Sequence, residues 1–171
     1  MIRSILLCCA ALLLFACGRA EPDATRAAPV PSALYPGETP QMRRLVQRYA
    51  DKHGLPEKLL HRVIQRESDY RPHARNGPYW GLMQILPQTA RQMGFRGSPE
   101  DLLDAETNLT YAGRYLRGAW LVADGDIDRA VMWYARGYYY EARDRCMLVK
   151  TGLRQREVRR DCPQRQQESA S

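Results

Sequence analysis

The chain has 171 residues, 44% of them hydrophobic and 26% charged, enough for one domain with a real core. Lysine and arginine number 26 against 19 acidic residues, a formal net charge of +7, which draws the chain toward nucleic acid, anionic lipid or an acidic polymer. The first residues then argue against nucleic acid, because they read as an export signal. Arg3 precedes an apolar run from Ile5 to Ala16, too short to span a bilayer as a stable helix and suited to the h-region of a secretory leader. Leu14-Phe15-Ala16-Cys17 reads as a bacterial lipobox, which makes 1–17 a signal peptide and Cys17 a lipidated residue anchored to a membrane. The alternative is an ordinary signal peptide cut after Ala20. Gly18 in place of an aspartate after the cysteine favours the outer membrane of the cell envelope, facing the periplasm. Residues 18–38 carry Pro22, Pro29, Pro31 and Pro36 and read as a flexible tether.

Beyond the tether the pattern is helical. Thr39 is an N-cap with Pro40 at the first helical position, and that helix should run to about Lys52 and stop near Gly54. Pro56 opens a second helix, through Leu59 to Glu67. Asp69 to Tyr79 is a loop marked by Pro72, Gly77 and Pro78. Pro87 starts a helix through Met93, ended by Gly94. Ser98-Pro99 caps a short turn holding Leu102 and Leu103. A longer helix is expected from Asn108 to about Val122, another from Asp126 to the break at Gly137, and a last one over roughly Tyr138 to Lys150. No alternating strand pattern of useful length is present, so the fold class is all-α, with the domain at 39–150. Residues 151–171 are rich in arginine and read as a basic, disordered tail. Cys146 and Cys162 are a disulfide pair if the exported chain meets an oxidising compartment, or two free thiols on a frayed tail.

One carboxylate stands out. Leu59, Leu60, Val63 and Ile64 form an apolar helical stripe, and Glu67 falls on the same face. Burial there disfavours its charged form and raises its pKa. Its place near the helix C-terminus acts in the same direction, because the macrodipole disfavours an anion. A carboxyl that keeps its proton near neutral pH is what acid catalysis of glycoside cleavage requires. The opposing reading is that Arg71 or Arg75 pairs with Glu67 and lowers the pKa. His53, His61 and His73 do not have metal-ligand spacing, and no glycine-rich phosphate loop is present. No cofactor and no metal are expected.

Four short motifs follow in order: Glu67-Ser68, Gly81-Leu82-Met83-Gln84-Ile85, Asn108-Leu109, and Ala130 to Gly137 with Tyr134 inside it. The series resembles the soluble lytic transglycosylase (SLT) family of bacterial peptidoglycan enzymes over about Leu60 to Tyr140. The resemblance implies a lysozyme-like helical domain and a lytic transglycosylase acting on peptidoglycan glycan strands. In this family a single acid protonates the oxygen between N-acetylmuramic acid and N-acetylglucosamine. It then serves as base while the muramyl 6-hydroxyl attacks its own anomeric carbon, giving a 1,6-anhydro sugar. The roles carried over are Glu67 as catalytic residue and Ser68, Asn76, Gln84, Leu86 and Tyr134 at the substrate. Ser68 would also fix the local backbone, and the Tyr134 hydroxyl would sit near the acid.

Relatives commonly read Ala-Tyr-Asn before a glycine, whereas here Tyr134 is followed by Ala135, Arg136 and Gly137. Tyr79, Trp80 and Tyr138 to Tyr140 are candidates for replacement stacking contacts with sugar, or for core packing. Two rival functions remain: a muramidase that lets water attack, and a wall-binding lipoprotein that has lost catalysis. Envelope or secretion machinery is a candidate partner.

Overall fold

The computed structural model describes residues 33–163. The leader, Cys17 and most of the tether lie outside the described residues, as do positions 164–171. Six α-helices follow in order: α1 (Pro40–His53), α2 (Glu57–Ser68), α3 (Pro87–Gln92), α4 (Ala105–Val122), α5 (Ile127–Arg136) and α6 (Tyr139–Asp144). A 3-10 turn at Pro99–Leu103 precedes α4. The loop after α2 closes on a small antiparallel hairpin, β1 (Arg75–Asn76) with β2 (Tyr79–Trp80), in the register Arg75 to Trp80 and Asn76 to Tyr79. These two-residue strands are too short to leave an alternating signature. Among the described residues no helix is long and apolar enough to cross a membrane.

The helix starts follow from their caps. The Thr39 side chain accepts from the Met42 amide ahead of Pro40, and Asp126 does the same for Arg129. Ser98 and Asp101 form a capping box on the 3-10 turn. Helix α4 begins three residues before the expected Asn108, because Asp104 accepts from the Thr107 amide at 2.8 Å and is the cap. Helix α4 is the central element: it packs on α1, α3 and α5, while α2 packs on α1 and α5. Leu109, Ala112, Leu116 and Ala119 line its inner face and are fully buried.

Helix α6 ends well short of the expected Lys150. Cys146 turns into the left-handed region at φ 54°, its amide donates to the Arg143 carbonyl, and the Met147 amide reaches back to Ala142 at 2.7 Å. This closure ends a helix whose sequence carries no glycine or proline at that point. Residues 151–163, assigned from sequence to a disordered tail, stay attached to the core. Thr151 donates its hydroxyl to the Met147 carbonyl, the Glu157 carboxylate accepts from the amides of Leu148 and Val149, and Leu153 packs against the core. Cys162 is buried and joined to Cys146, with the Cα atoms 5.5 Å apart.

The other end is fastened too. Residues 34–38, assigned from sequence to the tether, fold onto α1 and α2. The buried Glu38 carboxylate accepts two hydrogen bonds from Arg43, at 2.6 and 2.5 Å, and one from the Tyr35 amide. Beside it, His61 of α2 shares a 2.7 Å hydrogen bond with the Tyr70 hydroxyl, and the Tyr35 ring lies on His61. Burial alone would raise the Glu38 pKa; the hydrogen bonds from Arg43 and Tyr35 outweigh it and hold the carboxyl below the usual range.

Candidate active site

Helix α2 buries Leu59, Leu60, Val63 and Ile64 and brings Glu67 onto the same face in its last turn. The Glu67 side chain is 23% exposed. Burial pushes its carboxyl above the ordinary range, against a weaker opposing pull from Arg66. The Arg66 Nε stands 3.7 Å from Oε1 on a side chain that is itself half-exposed, so the pair is loose. The two arginines that sequence reading sets as rivals are engaged elsewhere. Arg71 donates its Nε to the Ser68 carbonyl at 2.8 Å, and the Arg75 guanidinium lies 3.4 Å from the centre of the Trp80 ring.

Next to the acid, residues 80–86 form a tight loop clasped from three helices. Trp80 and Ile85 exchange both amide hydrogen bonds. From α2, the Ser68 hydroxyl donates to the Leu82 carbonyl at 2.7 Å. From α4, Asn108 is wholly buried and fully used: its Oδ1 accepts from the Met83 amide, and its Nδ2 donates to the Trp80 and Leu102 carbonyls. From α5, the Tyr134 hydroxyl donates to the Met83 carbonyl at 2.8 Å. Gly81 is required where α4 crosses the loop. It has φ +74°, and a Cβ there would stand 2.1 Å from the Leu102 carbonyl oxygen and 2.3 Å from Asn108 Nδ2.

The clasp holds Gln84 in a left-handed conformation, φ 48°, that L residues seldom adopt. The Gln84 Nε2 donates to the carbonyls of Ala74 and Gly81, and among the described residues Oε1 has no hydrogen-bond partner. Gln84, Leu86 and Tyr134 come together in the wall of a groove of about 300 Å³, with Tyr79, Thr89 and Tyr115 beside them. Glu67 is not itself a wall residue. Tyr134 links the two, since burial first and then the nearby Glu67 charge raise the pKa of its hydroxyl. A wider hollow of about 570 Å³ lies elsewhere, between α1 and the start of α4. It is apart from Glu67, and its carboxylates are committed, Asp101 and Asp104 to caps and Glu106 to Arg48.

The remaining expected residues lie elsewhere. Ser68 is 2% exposed and acts as a pin between α2 and the loop, with no face open to a substrate. Asn76 is exposed on β1, opposite Tyr79, and lines no part of the groove. Trp80 is buried under Arg75 and Tyr138 is buried with its hydroxyl on the Tyr115 carbonyl, so both are packing residues. Tyr79 lines the groove and Tyr140 is exposed. Asn108 belongs to one of the four sequence motifs, yet the motif alone assigns it no part in the site. Its signal was an amide side chain on the core-facing stripe of α4, one turn before Ala112.

The family model for the Transglycosylase SLT domain matches residues 44–145, more than half of the chain. The chain is 35% identical over 98 residues to the "Peptidoglycan transglycosylase gp16" of Escherichia phage T7, covering 54% of this chain and 7% of that protein. It is 36% identical over 78 residues to the "Membrane-bound lytic murein transglycosylase F" of Desulfosudis oleivorans, covering 45% of this chain and 16% of that protein. The chain thus spans a small part of the length of these relatives. No solved structure matches it.

Proposed function

Because this chain belongs to the transglycosylase SLT domain family, with its lysozyme-like fold, we propose that it is a peptidoglycan lytic transglycosylase in which Glu67 is the single general acid and base. The observation that carries the reading is the Glu67 carboxyl: half-buried, raised in pKa by that burial, and opposed only by a loose contact with Arg66. In the first step Glu67 donates its proton to the glycosidic oxygen between N-acetylmuramic acid and N-acetylglucosamine, and the C1–O bond breaks. The carboxylate so formed then takes the proton of the muramyl 6-hydroxyl as that oxygen bonds to C1. The sugar leaves as the 1,6-anhydro form, no water is consumed, and Glu67 is protonated again. An intramolecular nucleophile gains from proximity what a second carboxylate would otherwise supply.

Gln84 offers Oε1 as an acceptor for a sugar N–H or O–H, Leu86 gives an apolar wall, and Tyr134 holds Met83 while sharing the field of Glu67. The export signal supports a place in the cell envelope, with Cys17 as the lipid-anchored residue in the outer membrane. A wall substrate agrees with the two relatives, one named for peptidoglycan and the other for murein. The test is product mass spectrometry on purified sacculi with wild type and Glu67→Gln. Anhydro-muropeptides from the wild type and a loss of roughly a thousandfold in the variant are expected. Products heavier by one water would make the protein a muramidase instead. Binding without soluble fragments would point to a wall-binding protein, a reading favoured by Ala135, exposed in the groove wall where the family resemblance implies an asparagine.

A further inference from the structure

Resting on the transglycosylase reading, we propose that Arg136 is a specificity residue, selecting strands by a carboxylate on the 3-O-lactyl branch of the muramyl sugar. Arg136 is the one charged side chain in the groove wall; its neighbours there, among them Tyr79, Gln84, Leu86 and Tyr134, are neutral. It is exposed, and among the described residues it has no hydrogen-bond or ion-pair partner. Of the other arginines near the site, Arg71 is engaged on a carbonyl and Arg75 on Trp80, while Arg66 stands loosely beside Glu67 rather than in the groove wall. Its position is fixed by the end of α5. Gly137 adopts φ 82° and ψ 146°, a conformation reserved for glycine, and its amide closes on the Trp133 carbonyl at 2.9 Å. The backbone at the groove mouth is therefore held while the guanidinium remains available.

The substrate has one place to meet it. The N-acetyl sugars of the strand are neutral, and the acidic groups sit on the lactyl branch. They are the lactyl carboxylate itself in a strand stripped of peptide, or the carboxylates of the peptide that the branch carries. Arginine presents a planar fork that holds a carboxylate by two parallel hydrogen bonds. The other wall residues suit the faces and hydroxyls of neutral sugars, so Arg136 supplies the charge-assisted contact.

The experiment compares three soluble substrates: peptide-free strands with their lactyl carboxylates, the same strands with those carboxylates converted to methylamides, and peptide-bearing strands. Wild type is expected to prefer the free carboxylate over the methylamide by roughly tenfold in kcat/KM, mostly through KM, and to lose the preference as salt rises. Arg136→Gln should lose it, and Arg136→Lys should keep part of it. A defect of Arg136→Gln on peptide-free strands alone assigns the lactyl carboxylate, and one on peptide-bearing strands assigns the peptide. Equal discrimination by wild type and Arg136→Gln overturns the proposal. Binding of the same strands in a Glu67→Gln background, by calorimetry, decides the Arg136 question separately. If that preference persists while wild type cleaves nothing, the function proposed above fails and the role of Arg136 stands.

Discussion

The acid catalysis proposed for Glu67 requires a carboxyl that binds its proton more tightly than a free glutamate does, and burial on the apolar stripe of α2 raises its pKa in that direction. Two consequences can be measured. Initial rates need the protonated form, so they fall as pH rises through the raised Glu67 pKa; the alkaline limb lies above the value of about 4.3 for a free glutamate. Stability follows the same group. The native state holds this proton more tightly than the unfolded chain, so the associated stability is fully present below the unfolded pKa and is lost as pH rises through the folded one. Glu67→Gln should therefore melt at a higher temperature than wild type near neutral pH, with the gap closing toward about pH 4. A gap that stays constant with pH would show that Glu67 is not desolvated. Glu67 was legible from sequence because a carboxylate on an apolar stripe breaks a simple pattern. Its freedom from Arg71 and Arg75 was not, because that depends on a carbonyl and an indole ring brought close by the loop.

At the scale of elements, the site depends on a loop with no regular structure, held by side chains from helices far apart in sequence. Ser68, Asn108 and Tyr134 contribute one clasp each from α2, α4 and α5. Asn108→Ala strands the Met83 amide and removes a donor from the Trp80 and Leu102 carbonyls. The expected cost is about 3 kcal/mol, read as a lower urea midpoint, since buried groups left without partners cost most. Asn108→Asp keeps the acceptor for Met83 and should fall with the alanine variant if the two carbonyl contacts dominate. Helix positions were readable because their caps are local: Thr39, Pro87, Ser98 and Asp126 all mark starts. The clasp was not readable, since each hydrogen bond joins residues whose pairing exists only after folding. The early start of α4 and the early end of α6 have a similar origin, in the Asp104 cap and the turn at Cys146.

Across the whole molecule, a mainly helical architecture followed from helical periodicity and the lack of an alternating strand pattern of useful length, while the domain limits did not. The tethering role given to 34–38 and the disorder given to 151–163 came from composition, which cannot register one buried carboxylate or one crosslink. The Cys146–Cys162 link closes a stretch 16 residues apart in sequence. Replacing both cysteines with serine should cost about 3 kcal/mol in the chain-entropy model. Thermal melts of that variant, and of wild type with reductant, should agree with each other and lie below oxidised wild type. An unchanged melting temperature would mean that the crosslink adds nothing to the anchoring by Leu153 and Glu157.

The clasp at Glu38 has a mechanical meaning. Any pull transmitted along the polypeptide from upstream enters the globule at Leu34 and meets, within a few residues, a guanidinium gripping a carboxylate through two parallel bonds. Such an arrangement is loaded before the helix bearing Glu67 is, so a force applied at Leu34 is resisted before it can shift that carboxyl.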